Sequence, residues 1–158
     1  MSIETAYQIE SSSSKTTLEV GEQFGQRCKG GEFFLLTSDL GGGKTTFTKG
    51  LAQGLGSADV VSSPTFTVNN IYDCRDGLRV YHYDFYRLND SGMVGYELQE
   101  ALDDPNSVIV VEWGDVIGGI LPESRVDVSI ERTVEAEDRR VLNVNVPSSL
   151  SYLRGEDL

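Results

Sequence analysis

Basic residues are scarce in this chain. Only 13 Lys and Arg stand against 25 Asp and Glu, which leaves a net charge of −12 and a pI near 4.4. That balance argues against direct docking on a phosphate backbone, which needs a basic face. The acidic groups are scattered, at Glu97, Glu100, Asp103, Asp104, Glu131, Glu135, Glu137 and Asp138. They read as a solvated surface, with a basic protein partner or a site that concentrates Mg²⁺ as the sharper alternatives. Cysteine is limited to Cys28 and Cys74, which have no metal-ligand spacing, so a reduced, cytoplasmic protein is expected. No apolar run reaches membrane-spanning length, and Met1-Ser2-Ile3-Glu4 is not a basic start followed by an apolar stretch. Neither a membrane partner nor a secretory signal is therefore expected.

What remains is an ordinary globular composition: 158 residues, 39% hydrophobic, with 17 glycines and a mean hydropathy of −0.24. No internal repeat or linker divides it, so a single domain spanning 1–158 with its own core is expected. Ser14 or Thr16 is placed to cap a helix reaching about Cys28, which Lys29-Gly30-Gly31 breaks. Phe33-Phe34-Leu35-Leu36-Thr37 is a compact apolar run of buried-strand type. A helix from about Lys44 to Leu55 stacks Phe47, Leu51 and Leu55 on one side and ends at Gly56. Val60 to Thr67 reads as a loop or short strand around Pro64. Ile71–Cys74 and Leu78–Phe85 are strands joined by a hairpin at Arg75-Asp76-Gly77. A short helix over Tyr96–Leu102, a turn at Asp103–Asn106 and a buried strand at Val108–Val111 follow. The last pair, Val126–Arg132 and Val141–Val146, reads as antiparallel. The fold class is mixed α/β.

The most informative segment lies between the first buried strand and the helix after it. Ser38-Asp39-Leu40-Gly41-Gly42-Gly43-Lys44-Thr45 follows the pattern of a phosphate-binding loop, G-x-x-x-x-G-K-[ST], with Ser38 in place of the first glycine. Glycines let the backbone approach phosphate oxygens, and successive N–H groups form an anion nest. The helix N-terminus adds its positive dipole end. Lys44 would reach the β- and γ-phosphates, and the Thr45 hydroxyl would ligate Mg²⁺. Thr46 completes the candidate phosphate-binding set, Ser38 to Thr46. A bare Gly-Lys-Thr would be weak alone; a strand before it, a helix after it and three consecutive glycines carry the reading. Against it stands a merely flexible turn.

Such a loop needs an acidic group at the end of a neighbouring buried strand. Val108-Ile109-Val110-Val111-Glu112 supplies one: four apolar residues, then a carboxylate that could also be an ordinary strand-end acid. Asp84 is the second candidate, and His82, two residues before it in a strand, faces the same way. His82 alone reads as a hydrogen-bonded structural histidine rather than a base. Trp113, the only tryptophan, is by composition a core or interface residue.

Four ordered segments then resemble one family: Ser38 to Phe47, Ser63-Pro64-Thr65-Phe66-Thr67, His82-Tyr83-Asp84-Phe85-Tyr86-Arg87-Leu88, and Glu112-Trp113-Gly114-Asp115. Their order and spacing, over about Phe33 to Pro122, are similar to TsaE, the bacterial ATPase of tRNA threonylcarbamoyladenosine biosynthesis. The family has Gly where Ser38 stands and usually Ala where Gly42 stands. The resemblance implies a P-loop NTPase-like domain with a mixed parallel and antiparallel central sheet flanked by helices. It implies ATP and ADP as nucleotides, Mg²⁺ as metal, and TsaB and TsaD as protein partners, TsaD carrying the transfer onto adenosine 37 of tRNA. By the same resemblance Lys44 contacts phosphate and Thr45 Mg²⁺. Thr65 lies in a switch-like segment near the γ-phosphate, and Asp84 is the water-orienting or metal-shell acid. Glu112 is the carboxylate on the metal side, and Trp113 sits near the functional surface. Direct tRNA binding is not implied, in keeping with the acidic surface.

Two other readings stay open. In one, ATP only shapes a surface for partners and hydrolysis is incidental; in the other, the chain is a small-molecule P-loop kinase. No arginine finger is evident apart from Arg87, so slow turnover by the isolated chain is expected. A kinase needs a lid with clustered arginines, whereas Arg139-Arg140 fall at a hairpin turn. No Asn-Lys-x-Asp or Thr-Lys-x-Asp stretch is present to read guanine, which favours ATP over GTP.

Overall fold

The computed structural model describes residues 4–38, 43–61, 69–85, 92–112, 121–133 and 139–154. Along the chain come β1 (Glu4–Ser11), α1 (Ser14–Arg27), β2 (Phe33–Ser38), α2 (Lys44–Gly54) and β3 (Asn69–Asp73). After them come β4 (Arg79–Asp84), α3 (Gly92–Asp103), β5 (Ser107–Glu112), β6 (Val126–Arg132) and β7 (Arg140–Pro147). The strands make one sheet in the order β1-β7-β6-β2-β5-β4-β3. β6, β2, β5 and β4 run parallel, and antiparallel strands finish both edges. The result is the mixed α/β sheet of a P-loop NTPase-like fold.

Strand β5 explains why the centre is so apolar: all six of its residues are buried, as a parallel strand covered on both faces requires. On one face Phe34, Leu36, Val80 and Val110 pack against Phe24 of α1 and against Phe47 and Leu51 of α2. The rings of Phe24, Phe34 and Phe47 lie 5.9 to 6.3 Å apart, tilted or edge-on. On the other face Phe33, Tyr83, Ile109 and Val111 pack against Leu98 and Ala101 of α3. The chain runs outward from β2 through α2 towards β4, then back through α3 to β5. Reversing direction at constant handedness puts the two helices on opposite faces.

The two helices of the first face touch backbone to backbone. A Cβ at Gly50 would lie 2.1 Å from the Leu18 carbonyl oxygen, and one at Gly54 2.2 Å from that of Glu22. From the other side, Gly21 and Gly25 leave room for the Phe47 and Leu51 carbonyls. Each helix thus contributes a pair of glycines four residues apart, and any larger side chain would force the helices apart.

Helix ends follow their own chemistry. The N-cap of α1 is Ser13 rather than the Ser14 or Thr16 expected to cap it, and it makes no side-chain cap bond. Ser11, at the end of β1, instead donates its hydroxyl to the Ser13 carbonyl and accepts from Thr17 Oγ1, both at 2.7 Å. α2 ends as its sequence predicts. Gly56 has φ +82, its N–H donates to the Gln53 carbonyl, and the Ser57 N–H donates to that of Ala52, a Schellman arrangement.

The Arg75 guanidinium then reaches both helix ends. It donates to the carbonyls of Gly54 at 2.9 Å, Gly25 and Gln26 at 3.2 Å, and Cys28 at 2.9 Å. A cation there also meets the negative ends of two helix dipoles. Arg75 opens a 3-10 turn at Arg75–Gly77 in which Asp76 (φ 56) and Gly77 (φ 76) are both left-handed, as the tight β3–β4 hairpin requires.

The chain after β7 forms a 3-10 turn at Ser148–Leu153 that docks on the end of α1. Leu153 is fully buried, and Arg27 donates to the carbonyls of Leu153 and Arg154. The buried Glu32 carboxylate accepts the Lys29 and Gly30 N–H groups at 2.8 Å each, together with the Tyr152 hydroxyl. Burial and that hydrogen bond push the Tyr152 phenol above its ordinary range. Cys28 and Cys74 are both free thiols, and burial raises both.

Candidate functional site

The C-terminal ends of β2, β5 and β4 share one edge of the sheet. In register, Leu36 pairs with Glu112 and Asp84 pairs with Glu112. Ligands of open α/β sheets bind at this edge, beyond the carboxyl ends of the strands. β2 ends at Ser38, whose backbone pairs with Ile130 of β6, and α2 starts at Lys44. Gly43 precedes it with φ 109, a left-handed conformation open to glycine at no steric cost. Lys44 is 8% exposed, and Thr45 and Thr46 are half-buried. Thr48 Oγ1 closes the first turn on the Lys44 carbonyl at 3.0 Å. Among the described residues no side chain caps the start of α2, whose N-terminus is the positive pole of the helix dipole.

The two carboxylates come from adjacent strands. Asp84 and Glu112 lie side by side at the ends of β4 and β5. Alternation along the strands puts both on the face of Val80 and Val110, which is the face α2 covers. Asp84 is half-buried, whereas Glu112 is 2% exposed. Behind Glu112 stands His82, fully buried, with Nε2 3.6 Å from Glu112 Oε2. Its Nδ1 lies 3.4 Å from the Tyr72 hydroxyl. Glu112 Oε1 and His82 Nε2 have no hydrogen-bond partner among the described residues.

A bound phosphate and a cation fit these groups. A buried carboxylate oxygen without a donor is costly by itself and suits a cation or its water. An uncapped helix start behind a left-handed glycine suits an anion. Among the described residues no three His, Cys, Asp or Glu side chains cluster as a metal site of their own. One carboxylate plus substrate phosphates is how Mg²⁺ is generally held.

Of the residues picked from sequence, Ser38, Gly43, Lys44, Thr45, Thr46, Asp84 and Glu112 thus share one edge of the sheet. Asp39, Leu40, Gly41, Gly42, Thr65, Arg87 and Trp113 lie outside the described residues. Tyr72 is what the sequence reading missed. The hairpin register would have found it: with the turn at Asp76-Gly77, Asn70 pairs with His82 and Tyr72 sits diagonally across from the imidazole.

A parallel strand leading into a glycine-preceded helix, beside two strands ending in carboxylates, defines the chain as a P-loop NTPase-like protein. Comparison with known proteins narrows this. The family profile described as "TsaE: Threonylcarbamoyl adenosine biosynthesis protein TsaE" matches residues 11–141. The tRNA threonylcarbamoyladenosine biosynthesis protein TsaE of Streptomyces coelicolor is 37% identical over 131 residues, covering 81% of this chain and 87% of its own. The protein of that name from Bacillus subtilis is 43% identical over 110 residues, covering 69% of this chain and 67% of its own. The crystal structure of Bacillus subtilis YdiB superposes with a TM-score of 0.77 at 31% identity, covering 98% of this chain and 95% of that one. The chain belongs to the TsaE family.

Proposed function

We propose that this chain is the Mg-dependent, ATP-hydrolysing subunit of the machinery that installs threonylcarbamoyl on adenosine 37 of tRNA in the cytoplasm. The observation that carries the reading is the shared edge. Lys44 starts α2 on the face to which Asp84 and Glu112 turn their carboxylates. In this reading Lys44 and the N–H groups from Ser38 to Thr46 bind the phosphates of ATP and hold ADP afterwards. The Thr45 hydroxyl and Glu112 would hold Mg²⁺, which when bound would supply positive charge against the phosphoryl oxygens. Asp84 would orient the attacking water or the metal's water shell, and Thr65 is assigned to the terminal phosphate by the family resemblance alone.

TsaB and TsaD are the partners in this reading, with TsaD carrying the transfer and ATP turnover resetting the assembly. The net charge of −12 supports a subunit that leaves tRNA contact to its partners. Slow turnover alone follows from the lack of an evident arginine finger. The test is Mg-ATP hydrolysis by the purified chain, alone and with an added TsaB–TsaD pair. Stimulation by the pair that Lys44→Ala abolishes is the expected result. A rate unchanged by the pair would sink partner gating, and a rate unchanged by Lys44→Ala would sink the site itself.

A further inference from the structure

We infer that His82, held by Tyr72, is the positioning residue for Glu112, and that its Nε2–H fixes which carboxylate oxygen is left for the cation side. The inference rests on the reading of Glu112 as the site's carboxylate and extends it one layer deeper. Three side chains stand in a row beneath the site: Tyr72 Oη, 3.4 Å from His82 Nδ1, then His82 Nε2, 3.6 Å from Glu112 Oε2. His82 and Glu112 are sealed from solvent at 0% and 2% exposure, and Tyr72 is buried at 3%. A fully buried polar ring in a strand otherwise facing apolar side chains is costly unless its nitrogens have partners.

The hydrogen-bonding inventory fixes the proton. A carboxylate only accepts, so the ring nitrogen facing Glu112 must donate. Nδ1 is then the acceptor, and the Tyr72 hydroxyl is its donor. The tyrosine thereby selects the tautomer, and the ring from Tyr72 to His82 is braced by tilted contact at 6.2 Å between centroids. Glu112 Oε2 is the oxygen that His82 faces from behind, which leaves Oε1, without a partner among the described residues, as the oxygen presented to a cation or its water. At 3.6 Å the Nε2 contact is longer than a hydrogen bond. Contacts of this kind commonly tighten when a ligand binds. Histidine and tyrosine here act on the reaction only through Glu112, as outer partners of metal-ligating groups do.

The chain has one histidine, so its imidazole gives the only side-chain histidine signals in a nitrogen-15 spectrum of the resting protein. The expected spectrum has the proton on Nε2, and Glu112→Gln shifts that proton's resonance while Tyr72→Phe mixes the tautomers. A proton on Nδ1, or an Nε2–H signal indifferent to Glu112→Gln, overturns the inference without reference to nucleotide. In parallel, His82→Leu is expected to lower kcat by about 10- to 100-fold with KM changed by less than about 2-fold, and His82→Gln, which keeps an N–H, to recover most of it. Equal losses in His82→Leu and His82→Gln would mark a packing role and overturn positioning. If wild-type turnover itself proved independent of Lys44, the functional reading would fail while the spectrum still decided the His82 arrangement.

Discussion

The two ends of α2 were built to opposite specifications. Its C-terminal end is saturated: Gly56 and Ser57 fold back on the last carbonyls, and Arg75 bonds Gly54 while it also bonds the end of α1. Its N-terminal end is entered through a glycine at φ 109 and, among the described residues, carries no side-chain cap. A helix whose only task was stability would be capped at both ends, since each cap contributes about 1 kcal/mol. The difference teaches where this molecule keeps its stability and where it keeps its open valences. The closed end belongs to the fold, and the other end is the one that the proposed nucleotide would use.

Glycine substitutions sharpen that contrast most. Gly54→Ala drives a Cβ to 2.2 Å from the Glu22 carbonyl oxygen and should cost about 3 kcal/mol or more, because the obstacle is backbone. Urea denaturation is the measurement, and a loss under about 1 kcal/mol would mean the helices part easily. Lys44→Ala should leave the denaturation midpoint nearly in place while weakening Mg-ATP binding by about 100-fold, roughly 2.7 kcal/mol, in a titration with labelled nucleotide. A parallel loss of stability and affinity in that variant would erase the distinction between the two ends.

Removing the guanidinium should cost about 2 kcal/mol, since Arg75→Ala strips charged donors from carbonyls of both helices. Nucleotide affinity should hold in that variant, and its loss would show that the closed end also sets the site. The smallest effect belongs to Gly43→Ala, at about 1 kcal/mol of stability, because among the described residues only the backbone angle objects. Among the described residues the nearest atom to a Cβ there is Ile130 Cγ2 at 3.9 Å. Comparing thermal melts of the alanine variants at 43 and 54 sets the two ends of one helix against each other directly.

Much of the fold was legible because its signals are local. The apolar run Phe33–Thr37, the Asp-Gly turn, the four apolar residues before Glu112 and the Gly56 stop each declare themselves within a few residues. Strand β1 did not. Its sequence, Glu4 to Ser11, alternates weakly, and its partner β7 lies more than a hundred residues away, so no short window shows the pairing. The same holds for Arg75, which reads as a turn residue and becomes a clamp only when two helix ends converge on it. The glycines of α1 and α2 were visible as a composition, but their close approach is a property of two helices together. At the site, Asp84 and Glu112 were readable as strand-end acids, and the pairing of strand ends put them side by side. Tyr72 was hidden because a tyrosine in a strand looks like any core aromatic.

The Arg75 clamp also bears on how the chain assembles. The carbonyls it satisfies lie at 25, 26, 28 and 54, all earlier in the chain than the hairpin that carries the guanidinium. Until that hairpin closes, these carbonyls lack the guanidinium's donors, and the last turns of both helices fray more readily from that end. Strands β3 and β4, at the far edge of the sheet, are thereby coupled to helices on its first face, so opening of one is opening of the other. In amide exchange the final turns of α1 and α2 should open with the β3–β4 hairpin as a single cooperative unit.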